Sequence, residues 1–288
     1  MNDERRWMAL HRKLVSESIK IIAFDFRKHD IDLLIIKGIV VSLRYPPTFF
    51  RPFNDIDIAV AEECFPLASE ILQQSNPKFP VDLHNGLRHL DLLPWDILMR
   101  RSDYVVLDGT RVRTLSSEDH LRVVSTHWLN DGGVNKERLW DIYYSVENRP
   151  EDFDWSKCLD CVSETRRGWV ITTIGLAHKY LGLNINDLPF KDEALRIPKW
   201  VTDTLEREWA IGEPIRPLQT CTRDPKLFLR QLRRRIPPNP IQATIQMEAP
   251  IDDRGRAMLQ VRNVIRRAGP SVERISSVLR GRMQRKSK

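Results

Sequence analysis

The order of its secondary-structure patterns constrains the fold of this chain most. Between residues 30 and 115, short apolar or alternating runs typical of strands alternate with helix-period segments, and "DYVVLDGTRVRTL" predicts a hairpin that turns at Asp108-Gly109. At Ser116 the pattern changes, because this serine with an acidic side chain three residues later predicts a helix N-terminus. Helix periods then replace strand signals. The sequence therefore predicts an α/β domain at residues 1–115 and a helical domain at 116–222, with the proline-rich residues 183–240 as irregular chain.

Composition excludes several classes of protein. The 288 residues are 41% hydrophobic and 30% charged, as in an ordinary globular protein, and no run approaches the roughly 20 apolar residues of a membrane span. The N-terminal "MNDERRWMALHRKL" is charged and lacks the apolar core of a signal peptide. We therefore expect a cytoplasmic protein without a membrane span.

Two carboxylates lie inside an apolar strand pattern in "RPFNDIDIAV". Asp55 and Asp57 flank Ile56, and residues i and i+2 of a strand point to the same face, roughly 6.5–7 Å apart along the chain. Like charges this close raise each other's pKa unless a cation lies between them. Carboxylate oxygens suit Mg²⁺ or Mn²⁺. Asp82, in the alternating "VDLH", is the candidate third acid on a neighbouring strand. The structural alternative is that Asp55 caps the strand and Asp57 pairs with Arg51.

Further motifs surround these acids. In "IIKG", Lys37 adds a positive charge at a strand-to-helix turn, and Gly38 allows the backbone to approach a ligand closely. The ordered set resembles the DNA polymerase β-like nucleotidyltransferases, and within them a branch of poorly characterised bacterial nucleotidyltransferases. The motifs that carry the resemblance are Lys37-Gly38, Arg51-Pro52, Asp55-Ile56-Asp57 and Asp82-Leu83-His84. The superfamily's usual turn is Gly-Gly or Gly-Ser, so Lys37 is a departure from the pattern.

The resemblance, which covers roughly residues 20–190, implies a fold and a reaction. The fold is α+β, with a mixed-sheet nucleotidyltransferase core followed by an all-α domain. The reaction is transfer of an NMP group from a nucleoside triphosphate to an acceptor. Asp55 and Asp57 would hold two Mg²⁺ ions about 3.5–4 Å apart. Asp82 would bind metal and help to deprotonate the acceptor hydroxyl. The acceptor itself, whether a small molecule, a protein or a nucleic acid, is not indicated.

The basic residues near the acids have open roles. Lys37 and Arg51 would offset charge on the triphosphate. Arg51 is equally well explained as a structural partner of the acidic cluster. His84 shares the strand face of Asp82, where it would touch substrate or orient a carboxylate. Equally, it would lie beside the site with its hydrogen bonds made and no functional role. If Asp57 holds metal, Asp57→Asn should leave the metal-free fold intact or slightly more stable.

Two other functions have some support. The chain could keep the fold as a non-catalytic nucleotide-binding or interaction protein. Arg122 and His127 also match the R-x4-H spacing of HEPN-type ribonucleases, a two-residue pattern that arises often by chance.

Cys158 and Cys161 form a C-x-x-C without a second ligand pair, which favours two half-buried thiols over a zinc site.

Positive charge is concentrated at the C-terminal end. Residues 223–288 carry 17 Lys and Arg against five acidic residues, a net charge of +12, whereas the preceding 222 residues carry −5. The sequence favours a basic, helical or partly disordered region that is solvated. The alternative is that this region contacts a polyanion, by binding phosphates, an acidic partner or nucleic acid.

Overall fold

A computed structural model describes residues 2–47, 49–212, 216, 218–222 and 224–267, without the side chains of residues 2–5, 8, 9 and 219. Its five strands are β1 (Leu33–Ile36), β2 (Ile56–Val60), β3 (Val81–Asn85), β4 (Asp103–Leu107) and β5 (Thr110–Thr114). The helices among and before the strands are α1 (Asn2–Arg27), α2 (Gly38–Ser42), α3 (Phe65–Ser75) and α4 (Trp95–Arg101). The helices after the sheet are α5 (Ser117–Asn130), α6 (Leu139–Glu147), α7 (Trp155–Leu159), α8 (Glu164–Leu181), α9 (Lys191–Ala194), α10 (Lys199–Ile211), α11 (Pro225–Arg233) and α12 (Pro240–Gln246). Residues 256–267 are also helical.

The strands form one mixed sheet in the order β3-β2-β1-β5-β4. The β1/β2 and β4/β5 pairs are antiparallel, whereas β2/β3 and β1/β5 are parallel. With helices on the sheet and a helical region after it, the α+β fold expected from the sequence is confirmed.

Strand alternation divides the apolar side chains of the sheet between two faces. Ile35, Ile56 and Ile58 pack with α1 and α3 on one face, while Leu34 and Ala59 pack with α4 and α5 on the other. Burying an Ile or Leu side chain contributes about 1.5–3 kcal/mol, so both faces stabilise the sheet. Asp57 lies between Ile56 and Ile58 and therefore points to the α5 side.

The local signals at the end of the sheet are confirmed. Asp108 and Gly109 have φ angles of 45° and 79°, as a type I′ turn requires. Ser116 caps α5, because its hydroxyl accepts a hydrogen bond from the Asp119 N–H at 3.2 Å. The helices that follow bury a third apolar cluster, centred on Trp169 and Ile174.

The prediction that residues 183–240 are irregular is wrong. Three helices, α9 to α11, lie wholly within this range, and α12 begins at its end. The prolines begin helices here rather than breaking them: Pro198 precedes α10, and Pro225 and Pro240 occupy the first turns of α11 and α12. Proline lacks only an N–H that has no helical partner at this position anyway. Of the basic C-terminal region, residues 224–267 are largely helical, which is one of the two forms expected. Ile241 and Ile245 in this part are buried, so it is not a solvated tail throughout, and residues 268–288 lie outside the described residues.

Both thiols of the C-x-x-C motif are hydrogen-bonded to the backbone. Cys158 is buried and Cys161 is half-buried, and they donate to the carbonyls of Glu118 and Lys157 respectively.

Among the residues that the structure describes, no helix has both the length and the apolar character to cross a membrane.

Candidate active site

Two strands bring acidic side chains together at one end of the sheet. Asp57 on β2 lies in register with Asp82 on the parallel strand β3. His84 joins them, with its Nε2 3.1 Å from Asp57 Oδ1 and 3.3 Å from Asp82 Oδ2. Potential ligand atoms of these three residues all lie within 4.8 Å of one another. The predicted partnership of Asp57 and Asp82 is therefore present in space, with His84 between them.

Asp55 lies beside this group without being part of it. It precedes β2 rather than belonging to it, so the strict two-residue alternation of a strand does not fix its direction. Its side chain is half-buried and lines the same cleft as Asp57 and Asp82. Burial, followed by repulsion from Asp57, raises its pKa although Lys37 acts in the opposite direction. Its role as a metal ligand stays a prediction.

Lys37 supplies the cation closest to the carboxylates. Its Nζ lies 2.6 Å from Asp57 Oδ1, with the two side chains only 10% and 9% exposed. Burial would raise the pKa of Asp57, but the hydrogen bond from His84 and the charge of Lys37 outweigh burial and lower it. Asp57 is therefore ionised and already paired with a cation of the chain itself.

The backbone of Lys37 has a conformation that favours glycine. Its φ is 52°, a left-handed value that is costly for a residue with a side chain. The Lys37 N–H donates to His120 Nε2 at 2.9 Å, which holds the turn. Because burial lowers the pKa of His120 to about 3, its imidazole stays neutral and can accept this bond. The next residue, Gly38, lies against the acids: a Cβ there would be 3.6 Å from Asp57 Oδ2.

Arg51 pairs with Asp141, so the structural alternative in which Arg51 pairs with Asp57 is wrong. Its Nε and Nη2 donate to the two carboxylate oxygens of Asp141, each at 2.7 Å, and its Nη1 donates to the Gly38 carbonyl at 3.2 Å. The Tyr45 hydroxyl donates to the same carboxylate at 2.6 Å. Since Arg51 and Asp141 are buried and sit 90 residues apart, this pair fastens α6 to the turn at Gly38. Arg51 is thus placed as a structural partner.

A cleft of about 280 Å³ opens above the acids, between the sheet and the helical region. Its polar wall from the sheet side includes Lys37, Asp55, Asp57 and Asp82. Its other wall includes His127, which the sequence marked only through the ribonuclease-like spacing. It also includes three polar residues that sequence reasoning missed, Asp131, Asn135 and Arg138, which lie between α5 and α6, where no recognisable motif marked them.

Arg138 is the most accessible cation of this second wall. Its side chain is 35% exposed, and its described side-chain contact is a long ion pair of 3.9 Å to Asp141. Burial and the charge of Arg51 lower its pKa, although Asp141 and Asp55 act in the opposite direction. In the sequence, the signal that could have identified Arg138 is its position just before the helix that begins "LWDIYY".

The two residues of the ribonuclease-like spacing do not form one site. Arg122 is buried in an ion network, 2.8 Å from Asp91 and 2.6 Å from Asp119. These carboxylates raise its pKa against the effect of burial. His127 lines the cleft instead, and burial lowers its pKa. Arg122 is absent from the described lining of that cleft.

The donor set fits a divalent cation. Two carboxylates and one imidazole converge, and the carboxylate oxygens are the ligand type that Mg²⁺ and Mn²⁺ prefer. Burial and, after it, the charge of Asp57 raise the pKa of Asp55, and Lys37 only partly offsets them. A metal ion bound through Asp57 Oδ1 would compete with the Lys37 ammonium for this oxygen.

Comparison with known proteins gives a family match over the N-terminal part of the chain. No match was found among curated proteins or among solved structures. The sequence model of one family, described as "Uncharacterised nucleotidyltransferase", matches residues 1–79, which include Lys37, Gly38, Asp55 and Asp57. This match supports a nucleotidyltransferase family for the chain.

Proposed function

We propose that this protein transfers a nucleoside monophosphate group from a nucleoside triphosphate to a hydroxyl group of an acceptor. The observation that carries the proposal is the meeting of Asp57 and Asp82, with Asp55 alongside, at a cleft that also holds Lys37 and Arg138. Acidic groups that bind metal, next to cations that bind phosphate, are what nucleotidyl transfer needs. The family match over residues 1–79 supports the same reaction class.

In this reaction the acceptor oxygen attacks the α-phosphorus, and the bond between that phosphorus and the bridging oxygen of the β-phosphate breaks. Pyrophosphate leaves with the bond's electron pair. Asp82, whose side chain is 55% exposed, would receive the hydroxyl proton. Lys37 and Arg138 would bind oxygens of the triphosphate, while Arg51 holds the wall of the cleft through Asp141.

Asp57, Asp82 and Asp55, with His84 nearby, are the residues that would hold Mg²⁺ or Mn²⁺. When bound, the metal would neutralise phosphate charge and acidify the attacking hydroxyl. The contribution of the chain is to keep Asp57 ionised and to orient it, through the 3.1 Å contact with His84.

The proposal is tested by incubating the protein with Mg²⁺, each labelled NTP and cell extract, and measuring pyrophosphate release. We expect release that requires metal and is lost in Asp82→Asn more completely than NTP binding is, because Asp82 acts on the attacking oxygen. Metal-dependent NTP binding without turnover on any acceptor would contradict the transferase function.

A second function, a nucleotide-binding protein without catalysis, is favoured by one observation. The 2.6 Å contact between Lys37 Nζ and Asp57 Oδ1 places a permanent cation where a transferase would bind metal. In such a protein, NTP would bind equally well with and without Mg²⁺. Measuring NTP affinity in EDTA and in Mg²⁺ therefore separates the two functions.

A further inference from the structure

A second, larger groove lies next to the candidate active site. It has a volume of about 630 Å³ and is bounded by the segment after α5, the end of α10 and the chain around α11 and α12. Asp131 and Asn135 line both this groove and the cleft, so the two cavities adjoin. The groove therefore lies on the side of the cleft that Asp131 and Asn135 form.

The groove is basic. Four cations, Lys136, Arg234, Arg235 and Arg267, lie among its described lining residues, against the two carboxylates of Asp131 and Glu208. Glu208 is paired with Arg234 at 3.1 Å. Three of the four cations come from the basic C-terminal third, which the family match does not include.

Two of these arginines, Arg235 and Arg267, donate hydrogen bonds to neutral groups. Arg235 donates to the Arg216 carbonyl at 2.6 Å and to the Gln231 carbonyl at 2.9 Å, and Arg267 donates to Gln242 Oε1 at 2.9 Å. Neither forms an ion pair with another described residue. Burial lowers the pKa of both, and the charges of Arg267 and Arg234 lower that of Arg235 further. Half-buried like charges repel each other, and an anion between them would remove this cost.

We propose that this groove binds a phosphate group of the acceptor, and that the acceptor is a phosphate-bearing molecule. Guanidinium groups bind phosphate oxygens with paired donors, and the volume is that of a site for a small molecule or for the end of a strand. The inference rests on the proposed transferase function, since it assigns the acceptor side of that reaction. A phosphorylated small molecule and the terminal nucleotides of an RNA strand present the same chemistry, and the test separates them.

The test is calorimetric titration of the full chain without metal or NTP. The probes are ribose 5-phosphate, with ribose as its uncharged match, and a tetra-adenylate RNA. The groove variant is Arg235→Gln/Arg267→Gln. The matched control, Arg233→Gln/Arg262→Gln, removes the same charge from exposed positions of the same two segments that do not line the groove.

We expect at least one phosphate probe to bind, ribose not to bind, and affinity to fall at least tenfold in the groove variant but less than twofold in the control. For RNA, the slope of log affinity against log salt should also fall by about 0.7 for each lost phosphate contact. Binding of both probes indicates a small acceptor, and binding of RNA alone indicates a strand. If neither probe binds, or if the control loses as much affinity as the groove variant, the inference is wrong.

Two further measurements keep the outcomes separable. If a melt shows that the double variant does not fold, Arg267→Gln alone carries the test, since its described hydrogen bond is to one side chain, Gln242. Pyrophosphate release is measured on the same proteins. Turnover without phosphate binding in the groove would overturn this inference alone. Phosphate binding in the groove without turnover would overturn the transferase function, and with it the acceptor role, and would leave the groove as a phosphate-binding site.

Discussion

The ion pair of Lys37 and Asp57 makes Asp57→Asn the sharpest test of how the site is built. The substitution keeps the side-chain shape but leaves the buried Lys37 ammonium opposite a neutral amide. Removing one partner of a buried pair costs about 3–5 kcal/mol. With the two side chains 10% and 9% exposed, solvent gives little compensation, whereas Asp55 and Asp82 nearby give some. We expect the metal-free protein to lose about 3 kcal/mol of unfolding free energy.

The assay is urea unfolding in EDTA of four proteins: the parent, Asp57→Asn, Lys37→Met and the double variant. Because the double variant leaves neither charge unpaired, it should be more stable than the sum of the single losses predicts, by about 2 kcal/mol or more. Mg²⁺ at ten times its dissociation constant should then add about 1.4 kcal/mol to the parent. It should add nothing to Asp57→Asn.

Asp82→Asn is the matched control, since it is the same chemical change on the neighbouring strand. Its side chain is 55% exposed, so we expect a change within about 0.5 kcal/mol in EDTA. If Asp57→Asn is instead as stable as the parent in EDTA, repulsion between the acids dominates, as the sequence alone suggests. The proposed balance between Lys37 and the carboxylates would then be refuted.

Three other predictions follow from neighbouring contacts. Arg51→Gln should cost about 3–5 kcal/mol in urea unfolding, because it leaves Asp141 buried without its bidentate partner. Arg138→Gln should change stability by less than about 1 kcal/mol but raise the NTP dissociation constant about tenfold in the same binding assay, because it removes a charge that reaches the triphosphate. The folded-state pKa of His120, about 3, lies below its unfolded value of 6.5, so the unfolded chain binds more protons between these values and stability falls as pH falls. From pH 7 to pH 5 this group should cost about 2 kcal/mol, and His120→Gln should remove that part of the pH dependence of unfolding.

The parts of the fold that depend on neighbouring residues could be predicted from the sequence. The Asp108-Gly109 hairpin, the Ser116 cap and the strand pattern around Asp57 are local features, and each has the conformation that its sequence indicates. The placement of Asp57 next to Asp82 follows from the parallel pairing of two strands joined by α3. The helices among the prolines were missed because proline ends a helix or begins one depending on its position, which composition does not reveal.

The partners of the basic residues could not be predicted, because they depend on contacts between distant segments. His120 holds the Lys37 turn from 83 residues away, and Asp141 binds Arg51 from 90 residues away. Sequence spacing carries no information on such contacts. The same limit hid the second wall of the cleft and the groove of Arg235 and Arg267, which exist only once the helical region packs on the sheet.

The two arginines beside the cleft show how contacts decide between roles that residue type leaves open. Arg51 directs its Nε and both terminal nitrogens at oxygens of Asp141 and Gly38, so a phosphate could bind it only by breaking a buried bidentate pair. Arg138 is held by one contact of 3.9 Å and lies partly open to solvent. In the proposed reaction a triphosphate would gain more from Arg138, since that guanidinium would exchange water and a weak ion pair for phosphate oxygens. The motif "RP" therefore marks the residue that builds the wall, and the unmarked Arg138 is the one with charge available to a ligand.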